Sequence, residues 1–241
     1  RFGVEREHRP WNPAELVIKR MRDFSRYRVQ LQEQKTAITN ILHSKDYAHG
    51  VPADIKKSSK KVIAVLEKEI AILSKEMEKV VKSDPEIEAK VNKLRTIPGC
   101  GITTVAAIVA ETNGFKEFKS AKQLTSYAGY DIVHNESGTS VLSKTRISKK
   151  GNRYMRHHMH MPALSASKHI PEFKALKERI KAKTGIPMKA QVAVQRKLLI
   201  LMYTLWKNDL VYEKDYHQKK VARNNAQATQ DSALQQLPLE V

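Results

Sequence analysis

Apolar residues recur every three or four positions along the first third of the chain, which is the spacing of one helical face. The first run comprises Val17, Met21, Phe24, Leu31, Ile38 and Leu42, with Arg28 and Lys35 as charged interruptions. The second run comprises Val62, Leu66, Ile70, Leu73, Met77 and Val80. Between the two runs stands the helix-breaking segment "HGVP" at residues 49–52. These seams predict a long antiparallel coiled-coil hairpin within residues 14–93, suited to a spacer or a dimerisation arm.

After the second run, the apolar helical pattern continues only over shorter segments. The segment "SDPE" at residues 83–86 is typical of a helix start, because Ser or Asp caps the first turn and Pro is tolerated early. We expect that helix to run to about Leu94. The sequence "IPGCG" then breaks it, and an apolar helix begins at about Ile102. We call residues 98–101 the glycine turn.

Loops and short elements are expected in the middle of the chain, from residue 114 to residue 151. Alternating apolar and polar residues there predict one small β-hairpin around Gly138. Helices resume near Asn152 and pass to Lys168, and a last helix spans Pro187 to about Tyr212. Residues 213–241 are rich in Gln, Asn and Ala, which predicts a disordered tail. The fold class is therefore mainly α, a helical hairpin followed by a helical domain.

The charge balance points to a polyanionic partner. The 241 residues include 44 Lys and Arg against 25 Asp and Glu, a net charge of +19. Nucleic acid is the simplest such partner, and an anionic membrane surface is the competing one. No apolar run approaches the ~20 residues that span a bilayer, so we do not expect a membrane partner. Cys100 is the single cysteine, which excludes a disulfide framework, and we expect a cytosolic protein.

Much of the excess charge lies in one segment, residues 141–190. Its basic side chains are Lys144, Arg146, Lys149, Lys150, Arg153, Arg156, Lys168, Lys174, Lys177, Arg179, Lys181, Lys183 and Lys189. Only Glu172 and Glu178 oppose them, which leaves this segment with +11. A solvated charged face is the ordinary interpretation of such a run. Gly151, Asn152 and Tyr154 interrupt the charges with residues suited to shape and stacking, so we favour a nucleic-acid surface.

The glycine turn predicts a second contact with a phosphate backbone. Gly99 and Gly101 give the backbone freedom without a Cβ atom, and the exposed N–H groups at a helix start attract phosphate. Two helices joined in this way look like a helix-hairpin-helix element, which binds the DNA backbone without sequence preference. A plain packing corner is the alternative. A P-loop is excluded because no Gly-Lys-Ser/Thr follows, and no strand–helix–strand unit supports a dinucleotide fingerprint.

Candidate nucleophiles and metal ligands are few. Ser137 precedes Gly138, which is by itself only a turn signal. Asp131 and His134 lie close by, but proximity in sequence is no evidence for a catalytic triad. The histidines of "RHHMH" at residues 156–160 stand among arginines without a nearby acid or thiol, so we do not expect a metal site there. Cys100 is expected to be a small apolar filler.

The ordered segments "IPGCGITTVAAIVAE", "FKSAKQLTSYAGY", "NESGTS" and "RISKKGNRYMRHHMHMPAL" together resemble the C-terminal domain of DEDD-type insertion-sequence transposases, also called bridge-RNA-guided recombinases. The resemblance is close over residues 94–169. It implies that Ser137 is the nucleophile that attacks a DNA phosphodiester, with Ser140 as the fallback. It also implies that a guide RNA is bound. The residues expected to hold nucleic acid are Gly99, Gly101, Lys144, Arg146, Lys149, Lys150, Asn152, Arg153 and Arg156.

The same resemblance implies a further domain upstream, an RNase H-like domain whose four acids hold Mg²⁺. Residues 1–13 would be its end, residues 14–93 the coiled-coil region and residues 94–212 the transposase C-terminal domain. Because the chain begins with Arg1, we expect a fragment or a truncated reading frame. Glu117, Asp131 and Glu136 are too scattered to replace the acids.

Three functional classes remain open at this point. The leading one is a transposase that recombines DNA as a dimer or tetramer assembled through the coiled coil. The second is a non-catalytic helix-hairpin-helix protein that binds nucleic acid. The third is a coiled-coil assembly protein whose charge is incidental. Salt dependence and the effect of replacing Ser137 distinguish them.

Overall fold

The structure, a computed structural model, describes residues 13–133, 136–137, 141–142 and 145–214, with the backbone alone at 136–137 and 141–142. It is mainly helical, as predicted. The helices of this part of the chain are α1 (Leu16–Asp46), α2 (Ala53–Lys82), α3 (Pro85–Arg95), α4 (Ile102–Glu111), α5 (Ala121–Tyr127), α6 (Arg153–His169), α7 (Pro171–Thr184) and α8 (Pro187–Lys207). The strands are β1 (Ile132–Val133), β2 (Glu136–Ser137), β3 (Val141–Leu142) and β4 (Arg146–Ile147).

Helices α1 and α2 run antiparallel, with the break between them at residues 47–52, as the sequence predicts. The two charged interruptions of the first apolar run both reach across to α2. Lys35 Nζ lies 2.8 Å from a carboxylate oxygen of Glu67, and Arg28 Nε donates to Ser74 Oγ at 2.9 Å. Because Arg28 precedes Lys35 whereas Ser74 follows Glu67, the helices run in opposite directions. Whether their side chains interlock as in a coiled coil stays a prediction.

Burial is uneven along this helical hairpin. The buried residues of α1 and α2 are Ile18, Met21, Ser25, Val29, Leu31, Met77, Val80 and Val81. All of them lie at the end nearest the rest of the molecule, and no described residue from 32 to 76 is buried. Each helix is about 45 Å long at 1.5 Å per residue. The outer half of the arm therefore projects from the core with a half-buried seam.

The core forms around α4, which contacts α1, α2, α3 and α6. Every residue from Val105 to Glu111 is buried. Ala106 and Ala107 are fully buried, and their small side chains let neighbouring helices approach closely. Helices α6 and α8 complete the core with apolar residues spaced about one turn apart, which are Met155, Met159, Ala163, Val194, Leu198 and Met202. Each large side chain of this kind contributes roughly 1.5–3 kcal/mol.

The four strands form two short antiparallel pairs. Ile132 faces Ile147 in the β1–β4 pair, and Ser137 faces Val141 in the β2–β3 pair. The second pair is nested within the first along the chain. This pairing agrees with the small β-hairpin predicted around Gly138, a residue that lies outside the described part of the chain.

The structure differs from the sequence prediction in one additional helix and one helix end. Helix α7 is absent from the sequence prediction, and its apolar residues Phe173 and Leu176 are only partly buried against the core. Its signals are local, with Pro171 in the first turn and Gly185 in the left-handed conformation after the last. Helix α8 ends at Lys207 and does not reach Tyr212.

The early end of α8 has a structural cause. Asp209 adopts a positive φ of 54°, and its carboxylate accepts from Lys93 of α3 at 2.6 Å. The chain therefore folds back along α3. In the described ranges, every helix falls short of the combination of length and hydropathy that a bilayer span requires.

Candidate nucleic-acid interface

The proposed nucleophile lies in the strand pairs that follow α5. Ser137 belongs to β2 by its backbone, and its side chain is outside the described part of the structure. Ser140 and Lys144 also lie outside the described residues. The other candidates are all described, and they divide between the base of the strand pairs and the glycine turn.

The base of the strand pairs is closed by main-chain hydrogen bonds. They are Ser148 N to Asp131 O at 2.7 Å, Lys149 N to Gly129 O at 3.2 Å, and Asn152 N to Tyr127 O at 2.8 Å. Gly151 makes this approach possible. At its φ of +150°, a Cβ atom would lie 2.4 Å from Tyr127 O and 2.9 Å from Gly129 N. The segment that carries Ser137 therefore starts and ends on a fixed frame.

The basic candidates near this base are not equivalent. Arg146, Lys149, Lys150 and Arg153 are exposed. Arg156 is half-buried, and its Nη1 donates to Ala128 O at 2.8 Å. Four of the five cations are thus available to solvent, whereas Arg156 ties α6 to the end of α5.

Asn152 is also used within the protein. It is the N-cap of α6, where its Oδ1 accepts from the N–H groups of Tyr154 at 2.9 Å and Met155 at 3.2 Å. Its Nδ2 donates to Glu111 at 2.6 Å. Both ends of the amide are engaged, so Asn152 positions the basic segment.

Glu111 joins three parts of the fold at this point. Its side chain has no solvent exposure, and it accepts two hydrogen bonds from Arg26 of α1, each at 2.8 Å. Burial raises the pKa of Glu111. The hydrogen bonds from Arg26 and Asn152, with the positive charges of Arg26 and Arg22, outweigh burial and hold its pKa below the ordinary value. The carboxylate is therefore ionised near neutral pH.

Arg22 strengthens the same junction from one turn earlier on α1. Its Nε and Nη2 donate to Ala110 O at 2.9 and 2.8 Å, which satisfies a carbonyl at the end of α4. A cation at a helix C-terminus also interacts favourably with the helix dipole. Sequence reasoning missed Arg22, Arg26 and Glu111. The available signals were two arginines four positions apart and one acid that ends an apolar helix.

The ring of Tyr154 makes cation–π contacts with two guanidinium groups. The Cζ atoms of Arg26 and Arg153 lie 4.9 and 5.0 Å from the centre of its ring. Arg153 also pairs with Glu33 of α1 at 3.2 Å. These cation–π contacts and ion pairs hold both arginines beside the start of α6.

The two glycines of the glycine turn have different surroundings. A Cβ atom at Gly99, whose φ is +90°, would lie 2.6 Å from Ser165 Cβ and 3.1 Å from Pro162 O. Gly101 has open space around it and caps α4 without a side chain. Packing against α6 thus explains Gly99, whereas the surroundings of Gly101 leave room for a ligand.

The structure separates the two groups of candidates. Gly99 contacts the C-terminal half of α6 near Ser165, whereas Glu111 contacts Asn152 at the start of α6. The glycine turn and the basic base of the strand pairs therefore lie at opposite ends of α4. Its ten residues span about 15 Å. A single phosphate cannot meet both, but a longer stretch of backbone can.

Two buried groups near this surface, His158 and the Cys100 thiol, are packed within the fold. His158 shares a 2.9 Å hydrogen bond with Ser25, and burial, with the charges of His157 and Arg28, lowers the pKa of His158 to about 4. Burial raises the pKa of the Cys100 thiol to about 12, which agrees with a packing role. Within the described ranges, no three His, Cys, Asp or Glu side chains group closely enough to hold a metal ion.

Comparison with known proteins finds similarity over the segment that contains most of these features. Residues 91–178 match the family model described as transposase IS116/IS110/IS902 family. The pilin gene-inverting protein of Moraxella bovis is 29% identical over 150 residues, which cover 62% of this chain and 47% of that protein. The pilin gene-inverting protein of Moraxella lacunata matches to the same extent.

A third relative belongs to an insertion element. The IS110 uncharacterized 43.6 kDa protein of Streptomyces coelicolor is 24% identical over 120 residues, covering 50% of this chain and 29% of that protein. The chain spans about half the length, or less, of the curated relatives it matches. The matched residues 91–178 include the strand pairs, most of the basic segment and the whole of α4, so this part of the chain is similar to transposases of the IS116/IS110/IS902 family.

Proposed function

We propose that this chain acts in DNA recombination as part of an IS110-type transposase, with Ser137 as the nucleophile. The match of residues 91–178 to the transposase family carries the proposal, because that segment includes Ser137 and the basic residues around it. The names of the Moraxella relatives, which describe gene inversion, support a recombination reaction. The resemblance of "NESGTS" to the family's serine turn favours Ser137 over Ser140.

The proposed chemistry is a phosphoryl transfer. Ser137 Oγ forms a bond to phosphorus while the bond from phosphorus to the leaving sugar oxygen breaks. The hydroxyl proton passes to a base, and the leaving oxygen gains a proton. The phosphoserine ester conserves bond energy for rejoining the strand. Arg146, Lys149 and Lys150, exposed at the base of the strand pairs, would hold the phosphate backbone and offset developing negative charge, together with Lys144.

Mg²⁺ is part of the proposal by resemblance alone. The described residues do not fit a metal site, since no group of three ligating side chains occurs among them. We therefore assign Mg²⁺ to the four acids of the upstream RNase H-like domain that the resemblance implies, and derive no step through it. Reading the coding DNA upstream of Arg1 tests this assignment. An in-frame stretch with four suitably spaced acids is expected, and an in-frame stop codon would contradict it.

The proposed organisation assigns residues 14–93 to an arm and residues 94–212 to DNA processing. Recombination must hold two DNA partners together, so we infer that the projecting α1–α2 arm joins copies into a dimer or tetramer. The guide RNA rests on the resemblance to the family. The non-catalytic alternative has no observation in its favour and becomes an outcome of the experiment that follows.

A covalent-adduct assay tests the serine assignment. Labelled DNA is incubated with the longest translated form of the protein, and adducts that survive denaturing electrophoresis are counted. Ser137→Ala is expected to abolish the adduct and leave DNA binding intact. The hydroxyl forms the covalent bond to phosphorus but contributes little to the affinity for DNA. Ser140→Ala and the nearby control Ser143→Ala should form adducts normally. Loss of the adduct with Ser140→Ala alone would assign the nucleophile to Ser140. Adducts formed by Ser137→Ala would reject the assignment to Ser137.

A further inference from the structure

A shallow, open cleft of about 340 Å³ lies where α1, the end of α5 and the start of α6 meet. We call it the Tyr127 cleft. It is lined by Arg26, Tyr127, Gly151, Asn152, Arg153 and Tyr154. The covalent reaction proposed above uses neither of its tyrosines. The cleft adjoins the closed base of the strand pairs, because Asn152 N donates to Tyr127 O.

The chemistry of the cleft combines aromatic rings with guanidinium planes. Tyr127 is 43% exposed, and its ring packs at a tilt on Phe118 with 5.3 Å between ring centres. Arg26 and Arg153 lie against Tyr154 and stay 41% and 58% exposed at their side chains. Exposed phenol rings and guanidinium planes are the groups on which proteins stack unpaired bases.

The ion pairs of the cleft decide against a simple anion site. Arg26 is paired with Glu111, and Arg153 is paired with Glu33. Each guanidinium therefore has an acid beside it, the buried Glu111 or the exposed Glu33, and these contacts hold its plane in place. An incoming carboxylate or phosphate would have to compete with these acids. A flat neutral ring gains from the stacking surfaces without that competition.

Two exposed lysines that could bind the phosphate of a nucleotide lie just outside the cleft. Lys149 and Lys150 are exposed and directly precede Gly151 in its lining. A stacking surface beside two exposed lysines matches one nucleotide, with its base on the Tyr127 ring and its phosphate beside the lysines. A duplex keeps its base faces in its own stack, so only an unstacked nucleotide presents a ring to Tyr127.

We propose that the Tyr127 cleft binds one unpaired nucleotide, with the base stacked on Tyr127 and the flanking phosphate held by Lys149 and Lys150. This inference rests on the proposed function, since it takes nucleic acid as the substrate. It adds a place for a nucleotide that has left its stack next to the strands that carry Ser137. The nucleotide belongs to DNA or RNA, and the test separates the two sources.

The test measures binding of single-stranded oligonucleotides that contain 2-aminopurine, whose fluorescence reports base stacking. With the 241-residue chain, we expect quenching that Tyr127→Phe keeps. Tyr127→Ala and Tyr127→Leu should lose the quenching and weaken binding by about 5- to 150-fold, the usual loss for one stacked base. Tyr47→Ala, which removes a 78% exposed ring at the tip of the arm, is the matched control and should change neither.

Duplex DNA of the same sequence separates base stacking from backbone contact. Tyr127→Ala should leave duplex affinity within about twofold, because the duplex offers phosphates but no free ring face. Matching DNA and RNA single strands show which source is preferred. Thermal unfolding followed by circular dichroism confirms that each variant is folded before its binding is compared.

Two outcomes would overturn the inference. One is single-strand binding and quenching by folded Tyr127→Ala and Tyr127→Leu that equal those of the unchanged chain. The other is an equal loss for duplex and single strand, which would mean a general disturbance of the surface. Either outcome leaves the Ser137 adduct assay unaffected. Adducts with a failed stacking test reject the cleft alone, and stacking without adducts rejects the proposed function alone.

Discussion

Glu111 illustrates how much of this surface depends on single buried groups. Its carboxylate, at the end of an apolar helix, receives Arg26 from one side and Asn152 from the other. An ionised carboxylate without solvent would be costly on its own, and the paired guanidinium and amide offset that cost. The position of the basic segment thus depends on a side chain that is buried within the fold.

Replacing Glu111 by Gln is expected to destabilise the fold by roughly 1–3 kcal/mol near neutral pH. Loss of one partner of a buried pair costs more than loss of a surface pair, and the partial exposure of Arg26 reduces the effect. Urea unfolding at pH 7 measures it. The exposed Glu117→Gln is the matched control and should change stability little.

The same comparison has an expected pH dependence. Because the pKa of Glu111 is lower in the folded chain, its contribution is present above the ordinary value of about 4.3 and is lost as pH falls through the folded pKa. Glu111→Gln should therefore lose less stability than the unchanged chain between neutral and acidic pH. Equal losses in the two proteins would contradict the assigned pKa.

At the scale of elements, α4 and its two ends organise the candidate surface. The glycine turn precedes α4, and the Arg22, Arg26 and Glu111 contacts close its other end. The sequence assigns one role to both glycines of the turn, although only Gly99 is confined by a neighbour. Tertiary packing therefore separates a structural glycine from one that is open to a ligand.

Substituting Ala at each glycine tests this separation. Gly99→Ala should destabilise the fold by about 1–3 kcal/mol, because its Cβ would meet Ser165 and its φ is positive. Gly101→Ala has open space and should stay within about 0.5 kcal/mol. If the turn binds a phosphate, Gly101→Ala should weaken DNA binding in a filter or anisotropy assay. The melting temperature of the variant should stay the same. Unchanged binding would leave the turn as a packing corner.

At the scale of the whole molecule, the net positive charge is the property most relevant to the candidate surface. The excess of +19 includes the exposed cations at the base of the strand pairs, and the glycine turn stands about 15 Å away along α4. Two candidate contact regions at that distance would suit the extended nucleic acid that we propose as the partner. The projecting arm adds length on one side of the core without adding buried residues beyond position 31 of α1.

Salt dependence tests whether the basic segment meets phosphates. The Lys149→Ala, Lys150→Ala double variant should lower the slope of log affinity against log salt by about two, because each phosphate contact contributes close to one. Fluorescence anisotropy between about 50 and 200 mM salt measures the slope. The double variant Lys60→Ala, Lys61→Ala removes the same charge from exposed positions of α2 and should keep the slope. Equal changes of the slope in the two double variants would mean that binding depends on net charge and not on these positions.

Local patterns predict much of this fold. The apolar spacing predicts α1 and α2, the "SDPE" segment predicts the start of α3, and the glycine turn predicts α4 from Ile102. These features depend on residues within about one helical turn of each other, which the sequence shows directly. Helix α7 is missing from the prediction because its few apolar residues, such as Phe173 and Leu176, are spread among lysines and glutamates and are only partly buried. The basic segment is also visible in sequence, since charge is additive along the chain.

The sequence by itself therefore determined the helical class, the helical hairpin and the basic character of residues 141–190. Only the tertiary structure decided that Arg26 pairs with Glu111 across 85 positions, and that the two glycines of the turn differ. It also decided that the glycine turn and the strand base lie at opposite ends of α4. The physical reason is range: helix periodicity and caps depend on near neighbours, whereas these contacts depend on how whole helices pack.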